Sequence, residues 1–268
     1  MIQIYIIDAF SDAPFRGNPA GVALLDSVAP ADWMQRVAAE LRHSETAFVG
    51  PPSEDGLRAL RWFTPVAEVE LCGHATLAAA HVLGGNARFE SLSGVLSCTK
   101  GQDEVIWMDF PADKPQPIDL TNEDLRFVAG GTVLAAARGR FDLLLELASE
   151  KEVRQANVKY EELAQEPYRG LILTAVGKGG VDVVSRCFYP KVGVPEDPVT
   201  GSAHCTLASW WSERLSRDRL VAEQASARGG SVMIEVAGDR VWLGGSCTTV
   251  LEGILLATPS GSLDAISA

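Results

Sequence analysis

The 268 residues contain no Cys-x-x-Cys pair, no glycine-rich nucleotide loop, no low-complexity linker and no apolar run of membrane-spanning length. Each absence excludes something. The five cysteines, Cys72, Cys98, Cys187, Cys205 and Cys247, are odd in number and scattered, which argues against a disulfide framework and against a zinc site. They read as reduced and mostly buried. Without G-x-G-x-x-G or a P-loop between strand and helix, a nucleotide-dependent oxidoreductase lacks its phosphate cradle. Positive charge is also scarce: 23 Lys and Arg face 35 Asp and Glu, a net charge of −12. A nucleic-acid binder carries the opposite footprint, and an anionic membrane would repel this surface. The opening "MIQIYIIDAF" is apolar but short, has no basic flank and contains Asp8, and nothing approaches the roughly 18 apolar residues of a span. The expectation is a soluble, cytoplasmic protein with no nucleic-acid or membrane partner.

What is present is a chain long for one core and natural for two. "IQIYIIDAF" and "SETAFVG" read as strands, and "PADWMQRVAAEL" as a helix with Trp33, Val37, Ala38 and Leu41 on one side. Further strands are expected near "LRALRWF", "GVLSCTK" and "EVIWMDF". The best seam is the Pro- and charge-rich stretch 111–124, giving expected domains 1–112 and 113–268, with the last residues returning to the first domain. Beyond the seam come strands at "FDLLLEL", "GLILTAV", "VDVVSRCF", "VMIEVAG" and "RVWLGG" and a helix at "SAHCTLASWWSERL".

The second half echoes the first. "FTPVAEVELCGHATLA" carries Phe63, Pro65, Gly73 and Ala75; "FYPKVGVPEDPVTGSAHCTLA" carries Phe188, Pro190, Gly201 and Ala203. A pattern this short also arises by chance. If the echo is real, each half has a central helix beginning at a glycine. The helix "CGHATLAAAHVL" is apolar on every side and offers no capping side chain at its start. Uncapped N–H groups and the positive end of the helix dipole suit an anion, so a carboxylate substrate is the expected partner of such ends.

Four polar residues stand at or near these ends. His74 follows Gly73, Ser202 follows Gly201, Asp197 lies just ahead in "EDPVTGSAH", and Glu45 sits in "SETAFV". Taken singly, each has an ordinary structural explanation: a satisfied histidine, a helix-start serine, a turn aspartate before proline, a strand-start glutamate at the surface. Periodicity leaves Glu45 open, because Ala47 and Val49 on its side and Thr46 and Phe48 on the other leave neither face plainly wet. A desolvated carboxylate there would have its pKa raised toward the range useful for proton transfer.

The stretches "DAFSDAPFRGNPAGVALL", "SETAFV", "FTPVAEVELCGHATLAAA", "EDPVTGSAH" and "VWLGGSCTTVLEG" together resemble the PhzF family, the phenazine-biosynthesis isomerase-like proteins, whose fold is similar to that of diaminopimelate epimerase. The resemblance implies an α/β (α+β) protein of two pseudo-symmetric domains, each a barrel-like, mostly antiparallel sheet around a central helix. It further implies a site in the cleft between them, a homodimer and no cofactor; that no metal is expected rests on the scattered cysteines above. By motif, Glu45 looks like the family's general acid/base, with His74, Asp197 and Ser202 in support, Gly73 and Gly201 marking the helix starts that hold the substrate's anionic end, and Asn18 a further lining residue. The stretch "QASARGG" departs from the family pattern, which has an additional glycine early on, so Arg228 receives no role. The implied reaction relocates a proton within a small carboxylate-bearing substrate; in the phenazine enzyme this is a dihydro-hydroxyanthranilate. Two other readings stand beside it. A thiol racemase would use Cys72, but needs a second cysteine where Thr200 stands. A non-catalytic small-molecule binder would keep the pocket without turnover.

Overall fold

The computed structural model describes residues 1–121 and 125–259. Residues 122–124 of the expected seam, and 260–268 of the expected C-terminal return, lie outside the described residues. The chain falls into two compact units. One is built from Met1–Phe15, Pro19–Ile106 and the segment from Cys247 onward; the other from Arg16–Asn18 and Trp107–Ser246.

The first unit contains β1 (Ile2–Ala9), β2 (Asn18–Leu24, whose first residue clusters with the other unit), α1 (Ala31–Leu41), β3 (Glu45–Pro52), β4 (Leu57–Phe63), β5 (Glu68–Val69), α2 (Gly73–Val82), β6 (Ala87–Ser91) and β7 (Gly94–Lys100). Strand β2 runs parallel to β3 across the α1 crossover, β3 pairs antiparallel with β4, β4 runs parallel to β6 across the α2 crossover, and β6 turns back into β7. Helix α1 is amphipathic as its spacing demands: Trp33, Met34, Val37 and Ala38 are buried and Leu41 packs at their edge. Trp33 meets Phe48 edge-on at 6.0 Å, and Phe48 meets Phe63 at 5.6 Å, both T-shaped, so the core of this half is pinned by an aromatic chain.

The second unit contains β8 (Ile106–Pro111, whose first residue clusters with the first unit), β9 (Gln116–Pro117), β10 (Val128–Ala129), β11 (Val133–Arg138), β12 (Leu143–Leu147), α3 (Glu150–Gln155), β13 (Asn157–Val158), α4 (Tyr160–Leu163), β14 (Leu171–Val176), β15 (Val183–Tyr189), β16 (Val194–Asp197), α5 (Gly201–Leu215), β17 (Arg219–Gln224), β18 (Gly230–Ala237) and β19 (Arg240–Gly245). The last strand, β20 (Cys247–Leu255), returns to the first unit and pairs antiparallel with β1. In this unit β12 runs parallel to β14 across α3 and α4, β14 pairs antiparallel with β15, β15 runs parallel to β17 across α5, and β17 turns back into β18. The order of parallel and antiparallel steps is the one found in the first unit. The echo in the sequence is therefore an echo in topology. The short helices α3 and α4 were not anticipated, since six and four residues are too few to show a 3.6-residue period.

In each unit the crossover helix after the antiparallel pair is the buried one. Residues 74–80 of α2 are all buried, and α2 packs on β1, β3 and β20. Ala75, Ala78, Ala79 and Ala80 give this helix high intrinsic propensity and let the sheet approach closely. Helix α5 packs on β17, β18 and β19, with Trp211 and Leu207 fully inside. The Trp211 indole N–H donates to Thr174 Oγ1 at 2.9 Å, and that hydroxyl donates to the Val184 carbonyl at 3.0 Å, so the polar edge of the ring is satisfied.

Candidate active site

Glu45 opens β3 just after the turn that ends α1, where Arg42 adopts a left-handed conformation with φ 56°. Residues 46–49 behind it are fully buried on both faces of the strand, which places the carboxylate at the end of a dry element. The Glu45 side chain retains 21% of its exposure. Burial raises its pKa above the ordinary carboxylate value, against smaller lowering contributions from hydrogen bonds with Ser44 and Cys72.

Helix α2 brings His74 to the same place. Its Nε2 lies 3.4 Å from Glu45 Oε2 and 3.3 Å from Ser44 Oγ, and its Nδ1 lies 3.5 Å from Cys72 Sγ. Cys72 is the extended residue before the helix and makes no capping side-chain hydrogen bond. The helical ladder begins with the Thr76 N–H on the Cys72 carbonyl, 3.1 Å away, so the amides of Gly73, His74 and Ala75 stand outside it. Glu45, His74 and Gly73 thus come together in one unit, at a helix start with a carboxylate whose proton affinity is raised. Ser44 and Cys72 join them. Ser44 was readable as the neighbour of Glu45 in "SETAF", but nothing in the sequence announced its contact with a histidine thirty residues on.

The other three expected residues assemble in the second unit. The Asp197 carboxylate accepts from Asn18 Nδ2 at 2.9 Å and from the Thr200 hydroxyl at 2.5 Å. Asn18 is fully buried and donates also to the Val199 carbonyl at 2.9 Å, so it holds Asp197 and the approach to α5 in place. Gln224, equally buried, accepts from the Thr200 N–H at 2.9 Å and donates to the Asp197 carbonyl at 2.6 Å. The α5 ladder starts with the His204 N–H on the Thr200 carbonyl, which leaves the amides of Gly201, Ser202 and Ala203 outside it, and Thr200 caps no N–H with its side chain. His204 is fully buried. Desolvation holds its pKa down at about 4 despite the opposing bond from Nδ1 to the Thr200 carbonyl, so it is a neutral packing residue.

Ser202 accepts a hydrogen bond from Arg169 Nη2 at 2.9 Å. Arg169 is itself gripped in a two-pronged pair with the buried Asp142 and lies over the rings of Phe141 and Tyr189, at 4.9 and 5.1 Å. Burial works against its charge, but the Asp142 pair outweighs this and raises its pKa. Arg169, Asp142 and Gln224 escaped the sequence, because each acts on a partner at least 24 positions away. Arg228 donates to the carbonyls of Gly17 and Arg16 at 2.8 and 3.0 Å, a loop-holding contact.

All five cysteines are free thiols, four buried and Cys247 half-buried. Burial pushes the Cys98 and Cys205 thiols up to about 12, out of reach of ordinary thiolate chemistry. Among the described residues, no helix is long and apolar enough to cross a membrane.

Comparison with known proteins gives a family. The phenazine biosynthesis-like protein model (PhzC-PhzF) matches residues 7–253. An uncharacterized isomerase of Halalkalibacterium halodurans is 44% identical over 262 residues, spanning 94% of this chain and 98% of that protein. The crystal structure of a phenazine biosynthesis protein of the PhzF family from Enterococcus faecalis is similar at TM-score 0.89 and 40% identity, covering 94% of this chain and 98% of that one. A hydroxyproline epimerase from Agrobacterium vitis, crystallised with trans-4-hydroxy-L-proline, matches at TM-score 0.57 and 11% identity, covering 94% and 91%; this shows a shared epimerase-like fold alone.

Proposed function

Since the chain belongs to the phenazine biosynthesis-like, or PhzF, family, we propose that it is an isomerase that moves a proton within a small carboxylate-bearing molecule, with Glu45 as the general acid/base. The observation that carries this reading is the state of Glu45: a desolvated carboxylate with raised proton affinity, 3.4 Å from an imidazole at the start of a buried helix. A base that must take a proton and return it works best when neither state is overwhelmingly favoured, and burial moves a glutamate in that direction. Ser44 and Cys72 hydrogen bonds pull the other way, so the group is tuned rather than simply buried. His74 steers the carboxylate and shares the proton's path.

The helix starts at Gly73 and Gly201 are assigned to the substrate's anionic groups and to negative charge that develops as the proton leaves. Amides outside a helical ladder are fixed dipoles, and stabilisation of this kind is worth about 3 kcal/mol per donor. Asp197 and Ser202 are assigned to substrate polar groups. Asp197 is held by Asn18 and Thr200, and Arg169 occupies an acceptor position of the Ser202 hydroxyl, which directs its proton elsewhere. The reaction as proposed needs no cofactor. The assembly is proposed to be a homodimer in the cytoplasm, checked by light scattering and fractionation.

The experiment is solvent exchange: a panel of small unsaturated and hydroxylated carboxylates is incubated with the protein in D₂O and read by NMR for carbon-bound deuterium. Uptake that depends on Glu45 supports the isomerase; tight binding of a panel member without exchange supports the binder. The thiol-racemase reading draws on the approach of Cys72 to His74. It fails to find a second thiol, because the counterpart Thr200 spends its hydroxyl proton on Asp197.

A further inference from the structure

We propose that Glu45, Cys72 and His74 form a binding site for a soft divalent metal ion, with zinc the best match. The three residues each offer one donor atom, and those atoms all lie within 4.8 Å of one another. The donors are of the three kinds that zinc takes in proteins: thiolate, imidazole and carboxylate. Cys72 Sγ and His74 Nδ1 are 3.5 Å apart, and His74 Nε2 and Glu45 Oε2 are 3.4 Å apart. Two ligands of one tetrahedral zinc, at bond lengths of about 2.3 Å to sulfur and about 2.0 Å to nitrogen or oxygen, stand roughly 3.3–3.6 Å from each other. A single ion uses only one ring nitrogen, so the side chains must draw the three donor atoms from within 4.8 Å of one another to that spacing.

Charge supports the match. The start of α2 opposes a cation, but a thiolate and a carboxylate together bring two negative charges, which offset those of the ion. Binding releases the Cys72 thiol proton to solvent. Three protein ligands leave the fourth position open, so the ion holds a water or a small anion there. The absence of any Cys-x-x-Cys pair conceals this set, because its members come from a strand end and from a Cys-x-His at a helix start. Where Glu45 performs proton transfer as proposed above, the ion competes with that role, and the site is inhibitory; this consequence alone rests on the functional reading.

The test uses the metal ions themselves and needs no substrate. Cobalt(II) titrated into the metal-stripped protein is expected to bind at one equivalent with a thiolate-to-cobalt charge-transfer band, and zinc to displace it. Cys72→Ala is expected to abolish the band and weaken zinc binding at least tenfold by calorimetry. Glu45→Gln is expected to keep the band while weakening binding. Cys72→Ser replaces Cys72→Ala if circular dichroism shows the latter misfolded. Absence of a thiolate band in the parent protein, or a band that persists in the folded Cys72 variant, overturns the site. Because neither result involves turnover, failure of the isomerase reading would appear separately, in the exchange assay.

Discussion

The two halves open their buried helices with the same pattern, Gly-x-Ala, and then equip those openings differently. At Gly73 the nearby carboxylate is Glu45, desolvated, with its neighbours at 3.3 to 3.5 Å around His74. At Gly201 the nearby carboxylate is Asp197, with Asn18 and Thr200 donating to it at 2.9 and 2.5 Å and Gln224 behind them on the Thr200 N–H and the Asp197 carbonyl. Burial raises the proton affinity of Glu45, whereas Asp197 accepts two short hydrogen bonds from side chains of its own unit. Duplicated topology thus fixes where two helix starts lie within their units, and in the proposed function local environment makes the one at Gly73 the carrier of the mobile proton.

The scaffolds are expected to be interchangeable in energy where the sites are not. Leu77 in α2 and Leu207 in α5 are both fully buried. Replacing either by alanine is expected to cost about 2–5 kcal/mol in denaturant unfolding. A loss confined to one helix would break the equivalence of the two cores. Next in size is the Gln224 layer behind Asp197 and Thr200. Gln224→Leu removes the partners of the Thr200 N–H and the Asp197 carbonyl, and is expected to cost about 1–3 kcal/mol. A neutral result would mean that Asp197 and Thr200 hold themselves.

Smaller still is the effect at Glu45 on stability, and here the sign is informative. Its native pKa is raised, so the folded state holds the proton more tightly than the unfolded chain does. Stability is then lost as pH rises from the ordinary carboxylate range through the native value. Glu45→Gln has no such loss, and relative to the parent it is expected to gain stability between about pH 4 and about pH 7. Thermal unfolding of both proteins at the two pH values reads this directly; an unchanged difference would mean the carboxylate is not desolvated. Least of all should Cys72→Ala disturb turnover in the absence of metal. Activity within about tenfold of the parent is expected, whereas loss comparable to that of Glu45→Gln would restore the thiol-racemase reading.

Much of this was legible in the chain. Alternation and spacing gave α1, the principal strands and both later helices, and α2, apolar on all sides, could only be interior. Repetition of Phe-x-Pro and Gly-x-Ala gave the duplicated topology, and the family motifs gave the fold class. What stayed hidden depends on contacts across long separations. Asp142 and Arg169 are ordinary surface types until folding pairs them beside Ser202. Asn18 was expected by motif as a lining residue, but its full burial and its bonds to Asp197 and Val199 could not be read from the sequence. The Cys72–His74–Glu45 triangle is invisible because its carboxylate comes from 27 residues upstream. Short helices and two-residue strands carry too few residues to show a period at all.

Solvent deuterium uptake into a carboxylate of the panel, compared between the parent protein and Glu45→Gln, tests the central claim most directly. The account predicts that a folded Glu45→Gln variant still binds that carboxylate but exchanges its proton at least about a hundredfold more slowly. Exchange within about tenfold of the parent in the folded variant would contradict it and remove Glu45 as the base.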